Sequence, residues 1–292
     1  MPAPRILILG STGGLGRALI RRLACRYGIT SLTRTDLDLE RPESVSDCLS
    51  RHDFDVLLNP AGLTSPDACE AQPEKARLAN FAGPQAVAEH CHRRGVRMIH
   101  FSTDHVFSGE PHGLWSEDDP TEPVNIYGRA KRDAELAILK ASPDALVARV
   151  SWLFGPDKAS HPDHMIQRAL QTEDLAAVED KVSVPTSSAD IADWIRHIIV
   201  HPASGILHLC NSGIASWHSW AEAALGIAEW MGVPVKTTKV RPIKLAELTQ
   251  LKAPRPPQTV MSNRRFQDLL GSEVRNWHDA LEDYLEEKYL KS

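Results

Sequence analysis

A short apolar run, Arg5–Leu9, breaks into Gly10-Ser11-Thr12-Gly13-Gly14-Leu15-Gly16, and an amphipathic helical pattern follows at once. No other stretch restricts the fold as strongly. A run of this length suits a strand buried on both faces of a parallel sheet. Leu15, Leu19, Ile20 and Leu23 share one face of the helix behind it, with arginines at 17, 21, 22 and 26 on the other. Glycines at 10, 13 and 16 allow, in turn, a tight turn, a backbone close to a pyrophosphate, and a helix packed against the strand. The helix N-terminus offers free N–H groups and the positive end of its dipole. The segment Gly10, Thr12, Gly13, Gly14, Leu15 and Gly16 is therefore expected to cradle a dinucleotide.

The rest of the first half repeats strand and helix in alternation. Ile29–Thr33, Phe54–Asn59, Val96–Ser102 and Leu146–Val150 read as strands; Glu43–Leu49, Glu74–His92 and Tyr127–Lys140 read as helices. Asp36–Glu40 is a candidate third short strand, broken by Pro42. This alternation predicts an α/β fold, a doubly wound parallel (Rossmann) sheet with a smaller C-terminal α/β substrate lobe. Beyond residue 150 the pattern thins. Asp157–Pro162 reads as loop, Met165–Gln171 as a short helix, Ser188–Val200 as an amphipathic helix and Gly205–Cys210 as a strand able to rejoin the sheet. Trp217–Met231, Phe266–Leu270 and Trp277–Tyr289 read as helices, while three prolines within Lys252–Gln258 impose an extended loop. At about 150 residues per domain, 292 residues fit two units. The expected division is 1–151 plus 182–210 for the dinucleotide and 152–181 plus 211–292 for the substrate.

Composition narrows the functional classes. Hydrophobic residues at 42% and charged residues at 24% match a globular protein and exclude a disordered chain. No apolar run approaches the ~18 residues of a membrane span, and no secretory signal is visible. A net charge of −5 gives no reason to expect nucleic acid or an anionic membrane as partner. The five cysteines are scattered and never spaced C-x-x-C, which suits free thiols and a cytoplasmic location. No H-E-x-x-H motif occurs among the 13 histidines, and no metal site is expected.

The second predicted strand ends Thr33-Arg34-Thr35. Arg34 can pair with a 2′-phosphate, whereas Asp36 fits better in the following segment. NADPH is the expected cofactor, with NADH the alternative. Asp38, followed by Leu39, is placed to hydrogen-bond an adenine amino group.

Two segments carry the chemistry. Ser102-Thr103-Asp104 closes a strand at the carboxyl edge where ligands of open α/β sheets bind. Tyr127-Gly128-Arg129-Ala130-Lys131 sets a phenol and an ammonium on one helical face. A nearby ammonium is expected to lower the phenol pKa toward working pH, so that Tyr127 exchanges a proton with a carbonyl oxygen. Thr103 can donate to the same oxygen, and Lys131 can hold the nicotinamide ribose.

The order of glycine turn, Ser/Thr and Y-x-x-x-K resembles that of the extended short-chain dehydrogenase/reductases, and within them the dTDP-4-dehydrorhamnose reductase family. The resemblance rests on Asp55-Val56-Leu57-Leu58-Asn59-Pro60-Ala61, Ser102–Gly109, Pro123–Gly128, Arg149–Gly155 and Val184-Pro185-Thr186. Gly205–Leu209, Ser216-Trp217-His218 and Arg255-Pro256 extend it over nearly the whole chain. It implies a catalytic set of Thr103, Tyr127 and Lys131, with hydride transfer to the C4 ketone of a nucleotide-linked 6-deoxy-hexulose. It implies cofactor-side positions at Ala61, Gly62, Thr64 and Asn80. Substrate-side positions are Thr103, Asp104, His105, Val106, Asn125, Trp152 and Arg255. Three residues depart from the family pattern: His105 replaces a tyrosine, Pro60 interrupts Asn-Ala-Ala, and Lys181 stands where glutamine is common. No carboxylate follows the glycine turn to support a Mg²⁺-linked dimer, leaving monomer or homodimer open.

Other residues have plainer readings. Trp217, Trp220 and Trp230 fall at helical spacing and are expected in the core of the second lobe, and His161 and His164 are expected to face solvent. Two further functions share the resemblance: a non-catalytic NADP-binding regulatory subunit like the methionine adenosyltransferase β subunit, and an epimerase or dehydratase that recycles bound NAD.

Overall fold

The computed structural model describes residues 3–111 and 113–290. Its first half runs β1 (Ile6–Leu9), α1 (Gly14–Leu23), β2 (Ile29–Leu32), α2 (Pro42–Leu49), β3 (Val56–Asn59), α3 (Pro66–Ala71), α4 (Pro73–Arg77), α5 (Gly83–Arg94), β4 (Arg97–Thr103), α6 (Ile126–Ala141) and β5 (Leu146–Val150). Then come β6 (Leu153–Phe154), α7 (His161–Ala169), β7 (Ala176–Val178), β8 (Val182–Ser183), β9 (Thr186–Ser187), α8 (Ser188–Val200) and β10 (Gly205–His208). The chain closes with β11 (Ala215–Ser216), α9 (Trp217–Trp230), β12 (Arg241–Ile243), α10 (Arg264–Leu270) and α11 (Trp277–Tyr289).

Six strands form one parallel sheet in the order β10-β5-β4-β3-β1-β2. Side chains along a strand alternate between faces. Ile6 and Ile8 of β1 join α1, α8 and α10 on one side, while Leu7 and Leu9 join α2, α5 and α6 on the other. All four are buried, which is why the strand reads as an unbroken apolar run. A third cluster, built from α7, α9 and α11 around Trp220 and Leu281, forms the core of the smaller lobe. Phe266 and Val274 of the C-terminal segment pack with the sheet's cluster instead. Among the described residues, no helix is long and apolar enough to cross a membrane.

Three elements differ from the sequence expectation. Asp36–Glu40 forms turns rather than a strand, with Leu37 N–H donating to the Thr33 carbonyl and Arg41 N–H to that of Asp38. Leu37 and Leu39 satisfy their hydrophobicity against the α2–α5 layer, so the sheet ends at β2. The helix expected over Glu74–His92 is interrupted by a π-helical turn, Leu78–Ala82. Pro84 has no N–H to continue the α ladder, and Gly83 N–H reaches back five residues to the Leu78 carbonyl. Finally, α7 starts at His161 inside the expected loop. Ser160 and Asp163 cap it reciprocally, the Ser160 N–H donating to Asp163 Oδ2 at 2.8 Å.

Behind the sheet's carboxyl edge lies a buried ion pair. Arg149 on β5 donates to Glu135 on α6 at 2.7 Å, both side chains being 2% exposed. Ser102 also donates to that carboxylate. Removing one partner strands the other charge in a dry interior. Arg149→Leu is therefore expected to lower unfolding free energy by about 3–5 kcal/mol, read as a shifted midpoint in urea; an unchanged midpoint refutes the pair's structural role.

Candidate active site

The site begins where strand order reverses, between β1 and β3. Gly10 sits at φ +64°, and a Cβ there would lie 2.8 Å from the Ala61 Cα on the loop after β3. A Cβ on Gly16 would lie 2.3 Å from the Gly10 carbonyl oxygen. These approaches draw the start of α1 onto the strand ends. Gly13 is the N-cap and supplies no side-chain cap, and the first turn holds no acidic residue. The leading N–H groups of α1 are thus left for an anion, which fits a dinucleotide's diphosphate.

The loop following β3 is held from the π-helical turn. Asn80 accepts from Leu63 N–H at 2.8 Å and donates to the Leu63 carbonyl at 3.0 Å. Its Oδ1 would be 2.7 Å from a Cβ on Gly62. At the other side of the turn, Asp36 folds back on Thr33, accepting from its N–H and hydroxyl, and that partner lowers the carboxyl pKa. Arg34 donates to Glu40 at 2.6 Å and lies 3.5 Å from Asp38. Glu40 is an acidic neighbour that the spacing from the glycines did not single out.

The chemistry-bearing residues meet at the end of β4. Thr103 caps the 3₁₀ turn Asp104–Val106 by accepting from His105 N–H at 3.2 Å. Asn125 caps α6 by accepting from Gly128 N–H at 2.7 Å, which fixes the first turn that carries Tyr127. A Cβ on Gly128 would lie 2.1 Å from the His105 carbonyl oxygen, so α6 approaches the turn closely. The Tyr127 hydroxyl reaches the Thr103 side chain. Lys131 donates to the Phe101 carbonyl at 2.6 Å and to His100 Nε2 at 2.8 Å.

Electrostatics corrects one expectation. Burial pushes the Tyr127 phenol above its ordinary range; the Thr103 hydrogen bond opposes this, while Asp104 and Cys69 add to it. Lys131 is not among the groups that shift it; its ammonium is engaged by the Phe101 carbonyl and His100 of β4. Desolvation disfavours the charged form of a group sealed from water. The same burial brings Lys131 down to about 8, against the pull of Glu135.

A cavity of about 790 Å³ spans both lobes above these residues. Its wall holds the whole glycine segment, Arg34, Asp38, Leu39, Ala61, Gly62, Thr64 and Asn80 on one side. Thr103, Asp104, His105, Tyr127, Lys131, Trp152 and Arg255 complete the predicted set. Val106 and Asn125 are not on that wall: Val106 is buried with Phe107 and Trp115, and Asn125 lies behind His105. Arg255 reaches the wall from the proline-rich loop, paired with Asp67 at 2.8 Å. Burial disfavours the Asp67 carboxylate, yet hydrogen bonds from Arg255, Ala253 and Lys252 hold its pKa below the usual range.

The smaller lobe adds residues that spacing alone did not reveal. Lys181 donates to the Pro256 carbonyl at 2.5 Å and lies 5.6 Å from the centre of the Trp152 ring. Burial brings it to about 8, with Asp104 opposing and Arg255 reinforcing the shift. Trp152, at φ 41°, stacks on Trp220 at 5.6 Å. His161 corrects the solvent-facing expectation: it lines the cavity, pairs with the Trp217 carbonyl at 2.9 Å and falls to about 4 by burial. The capping of α7 one turn earlier than expected is what turns it inward. His164 is exposed. Trp220 is core, Trp217 lines the cavity, and Trp230 is 74% exposed on the far face of α9.

The family model described as RmlD substrate binding domain matches residues 4–290. The probable dTDP-4,6-dihydroxy-2-methyloxan-3-one 4-ketoreductase of Streptomyces antibioticus is 36% identical over 283 residues, covering 96% of this chain and 94% of its own. The dTDP-4-dehydrorhamnose reductase of Burkholderia thailandensis is 31% identical over 290 residues, covering 95% and 96%. The crystal structure of dTDP-4-dehydrorhamnose reductase from Bacillus anthracis in complex with NADP superposes with a TM-score of 0.91 at 26% identity. That match covers 98% of this chain and 99% of the other.

The Asn80 clamp is testable without any ligand. Asn80→Ala leaves both Leu63 backbone groups without their side-chain partner, an expected loss of about 1–3 kcal/mol. Hydrogen exchange at the Leu63 amide should accelerate accordingly; protection equal to wild type removes the clamp.

Proposed function

The chain belongs to the RmlD substrate binding domain family, and from that premise we propose that it reduces the C4 ketone of a nucleotide-linked 6-deoxy-4-keto-hexose, giving for example dTDP-L-rhamnose. NADPH is the reductant, with NADH as the alternative. The observation that carries the reading is the convergence of Thr103, Tyr127 and Lys131 on one cavity with an uncapped, glycine-opened helix N-terminus.

Each residue has a task in this reading. NADPH, when bound, supplies the hydride; the glycine segment and the start of α1 hold its diphosphate, and Ala61, Gly62 and Thr64 flank it. Arg34 would exchange Glu40 for a 2′-phosphate, while Asp38 and Leu39 border the adenine. Lys131 holds the nicotinamide ribose. Tyr127 donates its hydroxyl proton to the carbonyl oxygen, and Thr103 donates a hydrogen bond to the same atom. A phenol raised by burial is protonated at working pH, as a proton donor must be. Asp104, His105, Trp152 and Arg255 line the sugar side, with Val106 and Asn125 supporting them from behind. The unit 1–151 plus 182–210 holds the dinucleotide and presents the β4 end, and the lobe 152–181 plus 211–292 completes the substrate side. The protein acts as a cytoplasmic monomer or homodimer on a small-molecule substrate, with no metal, nucleic acid or membrane.

Two outcomes test it. Tyr127→Phe should reduce NADPH consumption with keto-sugar nucleotides by roughly 10²–10⁴-fold while NADPH binding is kept; an unimpaired rate refutes the proton-donor role. Secondly, kcat/KM should fall as pH rises through about 8, because Lys131 loses its ammonium there. Lys131→Met should be slow and lack that limb. The same fall in Lys131→Met would assign it to another group.

A further inference from the structure

Resting on the reductase reading, the geometry points to a specific role for His105. We infer that it is a substrate-positioning residue, a neutral imidazole locked by Asn125 with Nε2–H toward the cavity, donating to an acceptor oxygen beside the reacting ketone.

The lock follows from the hydrogen bonds of Asn125. Its Oδ1 accepts from Gly128 N–H at 2.7 Å as the cap of α6. The side-chain amide nitrogen must therefore be the atom facing the other way. It donates to the Pro254 carbonyl at 2.9 Å and lies 3.1 Å from His105 Nδ1. An amide NH₂ only donates, so Nδ1 is the bare, accepting nitrogen. The neutral ring then carries its proton on Nε2. That atom makes no hydrogen bond among the described residues and is not among their sealed, unpartnered buried atoms. The ring itself lies on the cavity wall, edge-on to Tyr127 with centroids 5.5 Å apart.

The surroundings keep the ring uncharged. Facing it are Asp104 on its own turn, Lys181 before β8, Arg255 on the proline-rich loop and the Tyr127 phenol on α6. Burial brings its pKa to about 4; Asp104 opposes, while Lys181 and Arg255 reinforce. A neutral donor binds an oxygen without adding a cation beside Tyr127. It also selects against substrates with no acceptor at that position, because the buried N–H would be left unpaired.

Steady-state kinetics and ¹⁵N-histidine NMR test this together. His105→Phe should raise the keto-sugar KM roughly tenfold, with kcat and the NADPH KM changed far less; His105→Gln, which keeps an N–H donor, should recover most of the loss. In Asn125→Asp the carboxylate can still cap α6 but presents an acceptor to Nδ1. The ring should become an imidazolium at low pH and an Nδ1–H tautomer above its raised pKa, so the sugar KM acquires a rise with pH absent from wild type. NMR of wild type should show the neutral Nε2–H form at pH 7. An Nδ1–H form in wild type, an unchanged KM in His105→Phe, or an Asn125→Asp profile parallel to wild type overturns the inference alone. A wild-type protein inactive with every keto-sugar nucleotide overturns the reductase reading and this inference with it.

Discussion

Everything at the site depends on how closely the backbone after β1 approaches its neighbours. Gly10 lies against Ala61, and Gly16 lies over the Gly10 carbonyl, at separations no Cβ could share. Those contacts bring the N-terminus of α1 to the point where β1 and β3 part. A side chain at either position would push the helix outward and separate its free N–H groups from the β4 end. The anion cradle and the Thr103–Tyr127 pair are adjacent because these two positions have no side chain.

The second organising force is desolvation. Lys131 and Lys181 are buried ammonium groups anchored on backbone carbonyls, and both fall to about 8. Tyr127 moves the other way, since burial penalises whichever form is charged. Arg149 and Glu135, equally buried, are paired with each other at 2.7 Å. The site is thus a set of groups biased toward neutrality. That suits a pocket where a proton leaves a phenol only when negative charge develops next to it.

The smaller lobe completes the enclosure without a large sheet of its own. Its paired strands are two or three residues long, and its core is helical. The wall residues Trp152, His161 and Trp217 stand on that core, and Arg255 is tied across to Asp67 on α3. The cavity's wall residues on this side therefore come from segments far apart in the chain, joined by packing rather than by a local motif.

The sequence alone determined the alternating strand–helix order, the glycine turn and the placement of Thr103, Tyr127 and Lys131 on a strand end and one helical face. These follow from spacing and side-chain shape within a few residues, where chain geometry leaves little choice. What only the tertiary structure decided were properties set by distant neighbours. Leu37 and Leu39 pack into a helix layer instead of a strand, and Pro84 turns one helix into three parts. Lys181 meets a carbonyl 75 residues away, and His161 faces the cavity because α7 is capped at Ser160. The direction of the Tyr127 shift belongs with these, because desolvation depends on what covers a group, and the covering atoms come from segments whose positions no local pattern records.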